Sequence, residues 1–210
     1  GNQSKWKPKA TFSQAQKIAI NHSLERIAVA DYNHRRILIF DYNLSLIRDI
    51  TMEGSRNAQC NTKAKPLGIT WDSSDNILFS TAPFYSCGHI GATLKKMDRY
   101  GGSMTEFGSF GTGSGKIGWA PDLATDSSGN IYVVDQGRHT VLKYNSSGTY
   151  LTEWGGWGDG DGQFKYPYAI TVDSNDNIYV GDTGNARVQK FNSAGTYQSE
   201  FGTFGWDDGQ

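Results

Sequence analysis

A pattern of about fifty residues recurs four times along the chain, and this repeat constrains the fold more than any other feature. The clearest copy runs from Pro167 to Gly195. When the copies are aligned on the residue that follows the second predicted strand, they step by 50, 54 and 47 residues. The aligned residues are Asp31, Thr81, Asp135 and Asp182. A fixed period of this length is the signature of solenoids, propellers and arrays.

Short runs of apolar and aromatic residues alternate with turn residues in every copy. The runs include Ile131-Tyr-Val and Ile178-Tyr-Val, and the turns read Ser-Gly-Asn, Asn-Asp-Asn and Ser-Ala-Gly. β-Branched and aromatic residues favour pleated strands, and Gly, Asn and Asp supply the positive φ angles of turns. No segment keeps a 3.6-residue apolar period for three turns, so we expect almost no helix. Four short strands per repeat predict the blades of a β-propeller.

The same residues resemble the NHL repeat family of β-propellers. The resemblance rests on Pro-x-x-Ile-x-x-Asp, Asn-Ile-Tyr-Val-x-Asp, Asn-x-Arg-Val and x-Phe-x-x-x-Gly, which are complete at 167–195. It implies an all-β fold of four-stranded antiparallel blades. The predicted repeats cover about 11–53, 60–108, 115–155 and 162–202. The second copy departs most, because it has Thr81 where the others have Asp and an insertion at 82–92 before its third strand.

The chain is expected to be one NHL-like propeller domain over residues 1–210, or a portion of one. Residues 203–210 are interpreted as the start of a further repeat, because Phe201 to Gln210 resembles Trp154 to Gln163. A fragment of a longer chain, a four-bladed ring and an open arc completed by another chain all fit. The first and third are favoured, since NHL-like propellers usually close with about six blades.

Charge is distributed unevenly along the chain. Residues 1–66 carry 11 Lys and Arg against 5 Asp and Glu, for a balance of +6, and residues 67–210 carry 9 against 16, for −7. Opposite signs in the two parts suit head-to-tail attraction between copies, and the alternative is that solvated surface charge varies by chance along the chain. The acidic loops of the last two repeats give no electrostatic footprint for nucleic acid. No run of 18 apolar residues predicts a membrane span.

Two cysteines and four glycosylation sequons bear on the compartment. Cys60 precedes the second repeat and Cys87 lies in its insertion, on the same predicted face, so we expect a disulfide between them. Asn-x-Ser/Thr sequons begin at Asn2, Asn21, Asn43 and Asn145. Together these features predict an extracellular or cell-surface protein.

The loops between repeats hold the candidate binding residues. Their aromatic side chains are expected to wedge between blades, and the alternative is that they form stacking platforms for sugars or a protein. The candidate platforms are Trp119, Trp157 and Trp206. Asp159 and Asp161 resemble half of a calcium loop without its closing Glu, so no cofactor is expected, with calcium as the alternative. His34 and His139 lie in equivalent segments on this face and are read as loop residues.

No catalytic residues or metal ligands are predicted. The Asp31, Asp135 and Asp182 series is interpreted as structural, because an Asp after a strand accepts backbone N–H bonds. The peptidyl-amidoglycolate lyases share this repeat and bind zinc through histidines that line the central channel. The equivalent residues here are Leu67, Asp122 and Tyr168, and none is His.

The sequence therefore predicts a non-catalytic extracellular scaffold or interaction propeller that binds protein, with self-assembly of copies head to tail as one form of this function. Two other functions stay open. One is a propeller lyase or hydrolase with a metal in its central channel, and the other is a carbohydrate-binding module that uses the face rich in Trp and Gly.

Overall fold

Four antiparallel sheets of four strands each make up this computed structural model, which describes residues 10–52, 64–82 and 92–205. Blade 1 consists of β1 (Ala15–Asn21), β2 (Arg26–Asp31), β3 (Arg36–Asp41) and β4 (Leu46–Thr51). Blade 2 consists of β5 (Pro66–Trp71), β6 (Ile77–Thr81), β7 (Leu94–Met97) and β8 (Met104–Phe107). The strands of each blade pair in sequence order, as the repeat predicts.

A short parallel pair connects blade 2 to blade 3, formed by β9 (Ser109–Phe110) and β10 (Lys116–Ile117). Blade 3 consists of β11 (Asp122–Thr125), β12 (Ile131–Asp135), β13 (Thr140–Tyr144) and β14 (Tyr150–Gly155). Blade 4 consists of β15 (Pro167–Val172), β16 (Ile178–Asp182), β17 (Arg187–Phe191) and β18 (Tyr197–Phe201). One 3-10 turn at Thr183–Asn185 is the only helical element of the described residues. None of these residues forms a helix long and apolar enough to cross a membrane.

The hydrophobic core lies between successive blades. Strand β12 lies between two such interfaces. Its Ile131 and Val133 face blade 2, whereas its Tyr132 and Val134 face blade 4. Successive side chains of a strand point to opposite faces, so a strand that is covered on both faces needs apolar residues at successive positions. Equivalent clusters fill the interface between blades 1 and 2 and the interface between blades 2 and 3. The predicted all-β propeller of antiparallel four-stranded blades is confirmed.

Acidic residues shape the turn between the first and second strands of blades 2, 3 and 4. In blade 4, Asp173 accepts hydrogen bonds from the backbone N–H groups of Asn175 and Asn177, both at 2.9 Å. A further bond from the Asn177 side chain, the largest single effect, helps to lower the pKa of Asp173 to about 2. Such Asx turns hold the two strands in register. Asp72 and Asp126 accept the equivalent bonds in blades 2 and 3.

Candidate functional site

The first strand of each blade lies near the central axis, where one ion pair crosses from blade 1 to blade 3. Lys17 Nζ lies 2.6 Å from Asp122 Oδ2. Asp122 is almost fully buried, and its carboxylate also accepts backbone hydrogen bonds from Leu123 and Ile170. Burial raises the pKa of Asp122, and the ammonium of Lys17 opposes that rise. The axis therefore holds a carboxylate that an amine already neutralises.

A small cavity surrounds this ion pair. It is lined by Gln16, Lys17, Leu67, Pro121, Asp122, Tyr168 and Ala169. The three positions that the resemblance to the lyases places at the channel, Leu67, Asp122 and Tyr168, do line it. No group of three His, Cys, Asp or Glu side chains suited to a metal occurs in the described parts of the chain. Sequence reasoning missed Lys17, because nothing in the first repeat marks this residue as facing the axis.

Three aromatic rings form a cluster at the junction of blades 3 and 4, and we call it the aromatic cluster. The His139 and Trp157 ring centroids are 4.8 Å apart, those of His139 and Tyr166 are 5.1 Å apart, and those of Trp157 and Tyr166 are 5.4 Å apart. All three pairs meet edge to face, the arrangement that aromatic quadrupoles favour. The Tyr166 N–H donates to His139 Nδ1 at 3.2 Å. Trp157 is 57% exposed, so its ring offers an open surface.

A glycine-rich loop holds Trp157 in this position. The Phe164 N–H donates to the Gly156 carbonyl, and the Gly158 N–H donates to the Phe164 carbonyl. Phe164 itself is fully buried between blades 3 and 4, which anchors the loop. Gly156 has a φ of 136°, a conformation that residues with a side chain rarely adopt. The loop thus presents the Trp157 ring while Phe164 wedges between the blades.

The predicted carboxylates of this loop do not converge. Asp159 pairs with Lys165 at 3.2 Å, and Asp161 is exposed. An ammonium group beside Asp159 lowers its pKa and occupies one side of the carboxylate. Calcium binding here stays a prediction.

The other predicted binding residues lie in separate places. His34 Nδ1 contacts Asp31 Oδ2 at 2.8 Å within blade 1, whereas His139 belongs to the aromatic cluster. Trp119 is half-buried, and its backbone N–H donates to the Asp135 carboxylate at 3.0 Å. Trp206 and both cysteines, Cys60 and Cys87, lie outside the described residues. Among the predicted binding residues that the structure describes, His139 and Trp157 meet, and Tyr166 joins them without a signal in the repeat pattern.

The side chains of Asp31, Asp135 and Asp182 accept backbone hydrogen bonds, the contacts that the sequence predicts for an Asp after a strand. All three side chains are fully buried, and each accepts a hydrogen bond from a backbone N–H in the segment that precedes its blade. Arg36 and Arg187 pair with Asp31 and Asp182 at 3.0 and 2.9 Å. Thr81 takes the equivalent place in blade 2. Its hydroxyl accepts a hydrogen bond from the backbone N–H of Thr93, which directly follows the insertion. The three carboxylates, unlike Thr81, join each blade to the segment that precedes it.

The sequons differ in accessibility. Asn21 is buried, its Nδ2 donates to Asp75 at 2.9 Å, and its Oδ1 accepts from Leu24 N–H. A glycan on Nδ2 would need the space that Asp75 fills, so the folded structure disfavours modification of Asn21. Asn43 is exposed and Asn145 is half-buried, and Asn2 lies outside the described residues.

Among the residues that the structure describes, the outer faces of the two end blades carry exposed apolar side chains, although Val29, Leu38 and Phe40 of blade 1 are buried. On the outer face of blade 1, Ile18 is 57% exposed and Ile20 is 53% exposed. On the outer face of blade 4, Phe201 is 65% exposed and forms one wall of an open groove that also includes Gly181 and Val188. We call these surfaces the blade 1 end face and the blade 4 end face.

Comparison with known proteins agrees with this architecture. The family model described as NHL repeat matches residues 164–191. No curated protein matches the sequence. A streptogramin B lyase structure is similar with a TM-score of 0.63 and 16% identity, over 90% of this chain and 54% of that one.

Two other solved structures give the same result. A nidogen/laminin complex matches with a TM-score of 0.65 and 18% identity, over 91% of this chain and 64% of that one. A gluconolactonase from Xanthomonas campestris matches with a TM-score of 0.64 and 14% identity, over 90% and 62%. At such low identity the likeness shows the propeller fold alone. The chain spans between about half and two thirds of the length of these structures.

Proposed function

We propose that this chain is a non-catalytic propeller scaffold that binds other proteins, copies of itself included, through its end faces. The observation that carries the proposal is the exposure of Ile18, Ile20 and Phe201 on two sheets whose opposite faces are packed. Contiguous exposed apolar surface marks sites of protein interaction. A broad flat sheet face suits a protein better than a small molecule, which prefers a concave pocket.

An extracellular or cell-surface location forms part of the proposal. It rests on the accessible sequon at Asn43, on the half-buried one at Asn145, and on the predicted disulfide between Cys60 and Cys87. Mass spectrometry of material from its native source tests both modifications. A glycan on Asn43 and a Cys60–Cys87 cross-link are expected, and unmodified asparagines with two reduced thiols would contradict this location.

The competing function is catalysis at the axis, since a lyase and a gluconolactonase share the fold. In this chain the axial carboxylate of Asp122 is bound by Lys17, and the described residues there supply one carboxylate with no imidazole beside it. Lyase or lactonase chemistry needs several groups that converge on the substrate. The axis therefore supports a structural ion pair better than a reaction centre.

Two measurements test the proposal together. The chain is assayed for lactone hydrolysis with and without added divalent cations, beside an Asp122→Asn variant. Extracellular proteins from the native source are passed over immobilised wild type, over Phe201→Lys, and over Leu151→Lys as a matched control on the exposed edge of blade 3. We expect no turnover that depends on Asp122, and loss of bound protein with Phe201→Lys alone. Turnover that Asp122→Asn abolishes, or equal binding by all three forms, would overturn the proposal.

The aromatic cluster favours a second candidate function, the binding of carbohydrate. The exposed Trp157 ring is held rigidly by His139 and Tyr166, and pyranose rings stack on such surfaces. Titration with a panel of oligosaccharides, followed by Trp fluorescence, tests it. Binding should disappear in Trp157→Ala and persist in Tyr100→Ala, which removes an exposed aromatic ring elsewhere in the fold. Equal responses in both variants would exclude this function.

A further inference from the structure

The contact between blades 3 and 4 shows how one blade of this chain recognises the next. Tyr132, Val134, Val141 and Trp154 of blade 3 pack against blade 4. At the edge of this contact, Lys143 Nζ donates to the Ser193 carbonyl at 2.8 Å.

A second polar contact joins the two turns of the same interface. Ser127 donates from its N–H and its hydroxyl to the carboxylate of Asp176, at 2.8 and 2.7 Å. An apolar centre with a lysine and a serine at its edges therefore defines the contact.

Both polar contacts recur at other interfaces of the chain. Lys96 Nζ of blade 2 donates to the Ser146 carbonyl of blade 3 at 3.1 Å. The Ser23 hydroxyl of blade 1 donates to Asp75 of blade 2 at 2.6 Å. The lysine contact therefore occurs at two interfaces, and so does the serine contact. Both are recurring features of the packing between blades of this chain.

The blade 4 end face carries the same residues in the same register. Tyr132 pairs with Lys143 across β12 and β13, and Tyr179 pairs with Lys190 across β16 and β17. The ammonium of Lys190 lies 5.6 Å from the centre of the Tyr179 ring, as that of Lys143 lies 5.2 Å from the Tyr132 ring.

The apolar centre is repeated as well. Val188 pairs with Phe201, as Val141 pairs with Trp154. Gly181 stands where Val134 stands in blade 3, which leaves the groove on this face open. The blade 4 end face thus presents the same kind of surface that blade 3 presents to blade 4, with a lysine ammonium as hydrogen-bond donor at its edge.

The blade 1 end face carries the complementary set. Blade 4 meets blade 3 through apolar residues that are buried there, namely Phe164, Ile170, Ile178, Val180 and Phe191. The registers place apolar residues at all five equivalent positions of blade 1, namely Phe12, Ile18, Ile27, Val29 and Phe40. Phe164 and Ile170 are buried, whereas Phe12 and Ile18 are 47% and 57% exposed. Val29 and Phe40 are already buried within blade 1, so the exposed part of this face is formed by Phe12 and Ile18.

The polar positions complete the match. Glu25 of blade 1 takes the turn position of Asp75 and Asp176, and all three have a positive φ between 53° and 63°. The carbonyl of Tyr42 takes the position of the Ser193 carbonyl. Tyr42 follows Asp41 and Ser193 follows Asn192, and these two residues open the equivalent turns of blades 1 and 4. Ser174 of blade 4 takes the position of Ser127 and is exposed.

We infer that the blade 4 end face of one copy binds the blade 1 end face of a second copy and reproduces the contact between blades 3 and 4. In this head-to-tail contact Ser174 donates to Glu25 of the other copy, and Lys190 donates to the carbonyl of Tyr42. The basic balance of residues 1–66 and the acidic balance of 67–210 favour the same pairing. The inference rests on the proposed function and names the partner as the chain itself. Because the contact is heterologous, it yields a closed ring or an open filament.

Cross-linking tests the register of this contact. A Ser174→Cys chain and a Glu25→Cys chain are mixed and oxidised, and the peptides are identified by mass spectrometry. The equivalent Ser127 and Asp176 side chains are within 2.7 Å, so the two new cysteines should join between chains. A Tyr100→Cys chain replaces the Ser174→Cys chain in the control mixture. A 174–25 peptide at least about tenfold above the control supports the contact, and its absence overturns it.

Sedimentation of the 210-residue chain over a range of concentrations tests whether the association occurs. Wild type should form closed or growing assemblies, and Ile18→Lys or Phe201→Lys should weaken association by about tenfold to a hundredfold. Leu151→Lys should leave it unchanged, and circular dichroism checks that each variant is folded. A monomer at every concentration would overturn the inference. If the chain were monomeric but other proteins still bound through Phe201, the proposed scaffold function would stand without self-association.

Discussion

Replacing Lys17 by Met should expose the cost of an unpaired carboxylate at the axis. The variant leaves Asp122 buried without its ammonium partner, which lies 2.6 Å away in the native chain. Breaking a fully buried ion pair costs about 3–5 kcal/mol. The Lys17 side chain is 39% exposed, so solvent screens the pair, and Asp122 keeps hydrogen bonds from two backbone N–H groups. We therefore expect a loss of about 2 kcal/mol at pH 7, or about 4–8 °C in Tm for a chain of this size.

The pH dependence separates this electrostatic effect from lost packing. Burial raises the pKa of Asp122, and Lys17 opposes the rise, so Lys17→Met raises the folded-state pKa further. Stability from a group with a raised pKa is present below its unfolded pKa, about 4, and is lost as pH rises through the folded pKa. The deficit of Lys17→Met against wild type should therefore be small at pH 4 and grow towards pH 7.

Urea denaturation of wild type, Lys17→Met, Asp122→Asn and the double variant at both pH values measures this effect. The double variant should recover most of the loss at pH 7, because no carboxylate is then left unpaired. A deficit of equal size at pH 4 and pH 7, or no coupling between the two substitutions, would refute the electrostatic account.

Four further substitutions test the packing and the turns. Phe164→Ala should lower the free energy of unfolding by about 3–5 kcal/mol in urea denaturation, because its fully buried ring fills the interface of blades 3 and 4. Tyr132→Phe should cost about 1–2 kcal/mol, since its buried hydroxyl donates to Asp126 at 2.9 Å, and Tyr179→Phe on the open end face should cost less. The pKa of Asp173 is lowered to about 2, so its stabilising contribution is present above about pH 4 and is lost as pH falls through 2. Asp173→Asn should flatten the fall in the urea midpoint over that range, and an unchanged pH profile would contradict this role.

The sequence predicts the structure that forms within each single repeat. The order of strands and the backbone hydrogen bonds of Asp135 and Asp182 follow from positions that recur at a fixed spacing. The place of Leu67 and Tyr168 at the axis follows from the resemblance to the lyases that share the repeat. Such features depend on local pairing within one blade, which period and turn chemistry encode.

Contacts between blades were harder to predict. Lys17 meets Asp122 across 105 residues, and no pattern within either repeat connects them. Tyr166 joins His139 through a backbone bond and a ring contact that exist only when blades 3 and 4 pack. The burial of Asn21 has the same origin, because its side chain is held by Asp75 of the neighbouring blade and nothing in its own repeat indicates that contact. Residue type fixes chemistry, whereas packing between blades fixes which groups meet.

The location of the core between blades has a consequence for how the molecule opens. Blades 2 and 3 each share two apolar interfaces, and blades 1 and 4 share one each among the described residues. The free energy of such an array is approximately a sum of intrinsic and nearest-neighbour terms, as in a one-dimensional Ising chain. Amide exchange should then be slowest in β6 and β12 and fastest in the end blades. Capping the ends would level this gradient, so the exchange profile along the chain reports whether the terminal faces are covered.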